Sequence, residues 1–195
     1  MNTTPEALNR FRKKLESLTP IADDDFQQLA GIMHEKCFNK GEVILKEGQV
    51  CKYYYFITRG CIRSFSQNNG REVNVKFYFE DDIACDFISY RLQEPSRFYL
   101  IAMEKCTVYY AAKTESAPIF ENTTSLHLTL FRFFQDLYFK EEDHSNSFKL
   151  LSPEERYKYL VENKPQYLQR ITFTQLASYL GISRETLNRI RKKIN

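Results

Sequence analysis

The sequence has no tryptophan, only three histidines, and only six glycines and six prolines in 195 residues. So little Gly and Pro excludes collagen-like and low-complexity chains. The five cysteines, Cys37, Cys51, Cys61, Cys85 and Cys106, are odd in number and form no CxxC pair. Neither a zinc ribbon nor a thioredoxin-type dithiol is therefore expected, and buried reduced thiols are. His34, His127 and His144 stand far apart, and none lies between residues 39 and 112. No run approaches the ~18 consecutive apolar residues of a membrane span. The opening MNTTPEALNRFRKK lacks the apolar stretch of a secretory signal. These absences predict a soluble cytoplasmic protein with no resident cofactor or metal and no membrane partner. A P-loop, a GxSxG and a catalytic Cys/His pair are also missing, and a cupin-type metalloenzyme would need His and carboxylate ligands on neighbouring strands. A non-enzyme is expected.

What is present is ample apolar sequence: 43% hydrophobic and 15% aromatic residues, enough to build a core and exclude wholesale disorder. The net charge of +3 is unevenly placed. Residues 151–195 hold nine Lys/Arg against four Asp/Glu, and the first 150 residues hold 19 against 21. A basic C-terminal segment of this kind points to a polyanionic partner.

Residues 5–36 carry a helical pattern (Leu8, Phe11, Leu15, then Phe26, Leu29, Ile32, Met33) broken at Thr19-Pro20. Between 39 and 112 the pattern changes to some seven or eight short strand-like runs, among them EVILKE, YYYFITRG, CIRSFSQ, REVNVKFYFE, DDIACDFIS and FYLIAMEKCTVYYAA. Asn69-Gly70 between two of them is a strong hairpin signal, since both central turn residues need φ > 0. Strand spacing of this kind predicts a sandwich, barrel or jelly roll. A long helix follows over about 124–146, with Leu126, Leu130, Phe131, Phe134, Leu137 and Tyr138 three and four apart. Its length predicts a dimer interface; a helix packed on its own β domain is the competing reading.

Ser152-Pro153-Glu154-Glu155 and Thr172-Phe173-Thr174-Gln175 are capping boxes that start helices. After the second, Phe173, Leu176, Ala177 and Leu180 share a helical face, Gly181 breaks the helix, Ile182 plugs the turn and Ser183 caps a new helix. There Leu187, Ile190 and Ile194 form an apolar face, opposed by Glu185, Asn188, Arg189 and Lys192, with Arg184 and Arg191 on the flank. Two short helices joined by a Gly turn, with a small Ala at their crossing, predict a helix-turn-helix. Arg suits guanine O6/N7 and Glu can accept from cytosine N4, so the polar face is expected to read duplex DNA.

ITFTQLASYLGISRETLNRIRKK resembles the DNA-binding helix-turn-helix of the Crp/Fnr transcription regulators, and GEVILKEGQ…YYYFITRGCIRSF…NNGREV resembles their cyclic-nucleotide-binding-type β-roll. The resemblance implies an α+β chain: a double-stranded β-helix (jelly-roll) sensor over 1–123, a dimerisation helix over 124–149, and an all-α DNA-binding domain over 150–195. It implies that Arg184, Glu185 and Arg189 read base edges, with Asn188 and Lys192 on the same face, while Ser183 and Thr172 touch phosphate. A homodimer, an inverted-repeat site in double-stranded DNA, RNA polymerase and an unidentified small-molecule effector are the implied partners. The sequence ends at Asn195, where relatives add a β-hairpin wing, so that wing is expected to be missing. The other departure lies in ACDFISYRLQEPSRFYLIA. Cys85-Asp86 replaces the Gly-Glu that holds ribose, Ser96 stands where the phosphate-binding Arg belongs, and Arg97 is one place late. One residue of slip on a strand reverses a side chain's face, so the pocket at Cys85, Asp86, Ser96 and Arg97 is not expected to bind cyclic AMP. A sensing or protein-interaction module with degenerate DNA binding is the remaining alternative.

Overall fold

A computed structural model describes residues 5–194. Helices α1 (Pro5–Glu16) and α2 (Asp23–Gly31) open the chain and lay Phe11, Leu15, Phe26 and Leu29 into the first hydrophobic core. Eight strands follow: β1 (His34–Phe38), β2 (Val43–Leu45), β3 (Tyr53–Arg59), β4 (Ile62–Asn68), β5 (Arg71–Tyr78), β6 (Ile83–Ala84), β7 (Tyr99–Ala102) and β8 (Cys106–Ala112), with helix α3 (Phe87–Leu92) between β6 and β7. They form two four-stranded sheets, ordered β1-β8-β3-β6 and β2-β7-β4-β5, all neighbours antiparallel. Phe56, Ile57, Ile62, Leu100 and Val108 are fully buried. This is the expected jelly roll. Asn69 and Gly70 turn β4 into β5 with φ of +49° and +75°, the left-handed pair that such a hairpin requires.

The structure corrects two boundaries in the roll. The helical pattern reaches residue 36, yet His34–Phe38 is a strand paired with β8, His34 opposite Tyr110. It is an edge strand exposed at four of its five residues, so no apolar alternation marks it. DDIACDFIS reads as a strand, but only Ile83–Ala84 is one. Asp86 ends it by capping α3: its Oδ1 accepts from the backbone N–H groups of Ile88 and Ser89, both at 3.2 Å.

Helices α4 (Lys113–Asn122), α5 (Thr124–Leu150), α6 (Pro153–Asn163), α7 (Pro165–Arg170), α8 (Phe173–Tyr179) and α9 (Arg184–Ile194) complete the chain. Helix α5 has 27 residues, about 40 Å at 1.5 Å per residue. It outruns the expected end at 146 because no Gly or Pro stops it before Pro153. Its apolar residues divide between two duties. Phe133 and Phe134 pack edge-on against Phe87 of α3 in the same chain, at 5.4 and 5.6 Å between ring centroids. Phe134 therefore serves its own roll. Leu128, Phe131, Tyr138 and Phe139 remain exposed, and at the helical period they fall within about 100° of one face.

A second hydrophobic core joins the roll to the C-terminal helices. Cys61, Phe77 and Phe79 of the roll share it with Tyr157, Leu160, Tyr167, Leu176, Tyr179 and Leu187. Phe77 meets the Tyr167 and Tyr179 rings, each at 5.6 Å. Polar groups lock the same seam. The Ser178 hydroxyl donates to Glu72 O and accepts from Asn74 N, both at 3.0 Å. Buried Arg63 donates to Asn74 Oδ1 at 2.9 Å and pairs with Glu72 at 2.7 Å. The Arg170 guanidinium forks onto both oxygens of Glu80, at 2.6 and 3.0 Å, and also pairs with Glu104.

Burial alone would raise the Glu80 pKa. Hydrogen bonds from Arg170 and from the backbone N–H groups of Glu80 and Gly60, with the Arg170 charge, outweigh it and hold the carboxyl at about 2. A carboxyl depressed from its ordinary 4.5 stabilises the folded chain fully above that pH and loses the contribution as pH falls towards about 2. Glu80→Gln should therefore cost about 1–2 kcal/mol at neutral pH, discounted for partial exposure. The gap to wild type should close as pH falls to about 2, as read from urea denaturation across pH.

Candidate nucleic-acid interface and effector pocket

Helices α8 and α9 build the expected helix-turn-helix from local chemistry. The Thr172 hydroxyl donates to Gln175 Oε1 at 2.8 Å and accepts from Gln175 N at 3.3 Å, while Gln175 Oε1 accepts from Thr172 N at 3.2 Å. This is the reciprocal arrangement that fixes a helix start. Gly181 takes φ +69°, and Ile182 N–H returns to Ala177 O at 3.0 Å, which closes the turn on itself. Ala177 is 2% exposed where the helices cross. Ser183 Oγ accepts from Thr186 N at 3.1 Å and so caps α9. Leu187 and Ile190 are buried and Ile194 is half-buried. Arg156 braces the turn from behind, donating to Leu151 O at 2.8 Å and to Leu180 O at 3.1 Å.

The sequence-predicted reading residues come out on the outer face. Ser183, Arg184, Glu185, Asn188, Arg189 and Lys192 are all exposed, as is Thr172 at the head of α8. Arg189 reaches back only to Thr186 Oγ1, at 3.3 Å. The backbone N–H of Glu185 and the Ser183 hydroxyl lower the Glu185 pKa, which keeps this exposed carboxyl an acceptor. A hollow of about 460 Å³ is lined by Phe173, Arg184, Glu185, Asn188 and Arg191. Arg191, assigned to the flank by sequence, thus lines the same hollow as Arg184, Glu185 and Asn188. Lys193 behaves differently, since its ammonium pairs with Glu154 at the start of α6, at 2.7 Å. It staples α9 to α6 rather than standing free.

The roll brings together Cys85, Asp86 and Ser96 but not Arg97. Ser96 is 3% exposed and donates to Asp86 Oδ2 at 2.7 Å. Both Asp86 oxygens are therefore engaged inside the chain, one by the α3 cap and one by Ser96. Arg97 is exposed, but neither it nor Ser96 lies on the strand that the sequence suggests: β7 begins only at Tyr99, and Arg97 sits in the bend before it. The Cys85 thiol is buried, raised in pKa first by that burial, and touches the Cys51 thiol at 3.8 Å. No sequence spacing could have announced this thiol contact, because 34 residues separate the two. Among the described residues no group of three or more His, Cys, Asp or Glu could hold a metal ion, and no helix is long and apolar enough to cross a membrane.

Residues 35–122 match the cyclic nucleotide-binding domain family. No curated protein sequence matches the chain. Among solved structures, FixK2 from Bradyrhizobium japonicum is similar at a TM-score of 0.72 and 18% identity, over 84% of this chain and 84% of that one. A CooA mutant from Carboxydothermus hydrogenoformans is similar at a TM-score of 0.68 and 16% identity, over 85% of this chain and 77% of that one. The catabolite activator protein of Thermus thermophilus is similar at 0.59 and 17%, over 93% and 86%. Residues 35–122 are thus similar to the cyclic nucleotide-binding domain family, and the chain as a whole shares the fold of these solved structures.

Proposed function

We propose that the chain is a sequence-specific, DNA-binding transcription regulator of the Crp/Fnr type that works as a homodimer and answers to an effector other than cyclic AMP. The observation that carries this reading is α9. Its apolar side is buried against α8, and its outer side offers Arg184, Glu185, Asn188, Arg189, Arg191 and Lys192 to solvent. Guanidinium forks can donate to guanine edges, the carboxylate can accept from a cytosine amine, and the amide can pair with adenine. Ser183 and Thr172 cap adjacent helix starts whose N–H groups suit phosphate. A degenerate reader would not need this uncommitted polar face. RNA polymerase is the partner that such a regulator requires.

Dimerisation is assigned to the exposed side of α5. Leu128, Phe131, Tyr138 and Phe139 are 42%, 56%, 62% and 61% exposed, an apolar stripe that a second parallel copy would cover. Phe131 and Tyr138 are cleaner probes than Leu130 and Phe134, because Phe134 packs on Phe87. Phe131→Asp with Tyr138→Asp should sediment as a monomer at micromolar concentration with unchanged far-UV dichroism. A wild type that is itself monomeric there removes the dimer.

Cyclic AMP is disfavoured because Asp86 is engaged by Ser96 and Arg97 faces outward. The missing charge-assisted phosphate contact is worth about 1.5–3 kcal/mol. Calorimetry with cyclic AMP should show no binding at micromolar concentration; micromolar affinity would mean that an arginine swings into the roll.

For DNA, a symmetric dimer would present two α9 helices about 34 Å apart and select an inverted repeat. Arg189→Ala should cost about 1–3 kcal/mol and relax one base pair per half-site. Lys192→Ala should weaken all sequences alike and lower the salt slope by about one unit. Selection from a random duplex library with each variant separates the two roles. If Arg189→Ala returns the wild-type motif at every position, Arg189 does not read bases.

A further inference from the structure

A cleft of about 720 Å³ opens where the roll, the last turns of α5 and helices α6–α8 meet, within the size range of small-molecule sites. Rings form much of its wall: Phe77 and Phe79 from the roll, Phe148 from α5, Tyr159 from α6, Tyr167 from α7 and Tyr179 from α8. Two cations line it without a carboxylate partner. Arg156 donates only to the carbonyls of Leu151 and Leu180 and lies 4.5 Å from the Phe148 ring centre, while its Nε is buried with no hydrogen-bond partner. The Lys164 ammonium lies 5.3 Å from the Tyr167 ring centre and, among the described residues, makes no ion pair. The lining acids are Asp82, Glu141 and Asp143. Asp82 accepts from Phe79 N at 2.9 Å, Glu141 pairs with Lys76, and Asp143 is exposed.

The charges inside the cleft register the same imbalance. Burial lowers the Lys164 pKa and Lys76 lowers it further, against the opposing charges of Glu141 and Asp82. Burial also lowers His144, and Lys164, Lys76 and Arg156 add to that against Glu141 alone. Half-buried cations not paired with a carboxylate are unfavourable until an anion arrives. Aromatic walls meanwhile favour a flat apolar body.

We infer that this cleft binds a small amphipathic monoanion, a flat apolar carboxylate, whose ring lies against the exposed Val75, Phe148 and Tyr159 and whose charge faces Lys164 and the Arg156 guanidinium. This goes beyond the DNA-reading proposal and stands without it. Because the walls come from both the roll and the helix-turn-helix, the occupant touches both sides of their seam.

The probe is 2-naphthoate, with the neutral 2-naphthalenemethanol as its uncharged counterpart. The chain has no tryptophan, so naphthyl fluorescence is read against little protein background. Naphthoate should saturate at one site per chain and bind about fivefold or more tighter than the alcohol. Lys164→Met should weaken it about tenfold, the loss of one charge-assisted contact. Removing a cation without a carboxylate partner should leave the thermal midpoint equal or higher, so lost binding is not lost folding. The comparison of the two probes needs no variant at all. Equal binding of both probes, unchanged naphthoate binding in Lys164→Met, or no saturation up to about 10 mM would overturn the site.

Discussion

The seam between strand β5 and helices α6–α8 is the constraint on which the rest of the molecule depends. The helices after Leu151 are too few to enclose a core of their own, the usual difficulty of a small domain with too much surface for its volume. They complete one by taking Phe77, Phe79 and Cys61 from the outer face of the roll. Arg63, Asn74, Glu72 and Ser178 then fix the register of strand against helix, and the Arg170 fork onto Glu80 and Glu104 clamps the far end. The direction in which α9 faces is therefore set by the roll, not by the helix-turn-helix alone.

A second route links the same parts through α5. Asp86 caps α3, the next residue Phe87 packs on Phe133 and Phe134, and about three turns further along α5 the His144 ring stacks on Tyr179 of α8 at 5.1 Å. Helix α3, the long helix and the helix-turn-helix thus touch in series. The exposed face of α5 stays clear of both contacts, which leaves it available to a second copy.

Much of this architecture is written locally. Asn69-Gly70, the two capping boxes and Gly181 each specify a backbone conformation with few alternatives, and each occurs where the sequence places it. The displacement of the arginine from position 96 to 97 is legible from residue order, but its cause is not strand periodicity, because both residues precede β7 and Arg97 lies in a bend. Strand β1 is not legible because its pairing with β8 supplies what its composition lacks. The duty of Phe134 is hidden because periodicity shows that a face is apolar without showing what covers it. Lys193 and Arg170 read from sequence as members of a basic patch, but distant carboxylates at Glu154, Glu80 and Glu104 claim them. The cleft around Lys164 is the extreme case, assembled from residues up to about a hundred positions apart.

Helix α9, held by the seam, is proposed to read duplex DNA. The most direct measurement is binding of the wild-type chain to the selected duplex and to an unrelated duplex across a range of salt concentration. Both association constants should fall linearly on logarithmic axes, by several units of slope. The selected duplex should be held about a thousandfold or more tighter throughout. Equal affinity for the two duplexes, or an affinity indifferent to salt, would contradict that role.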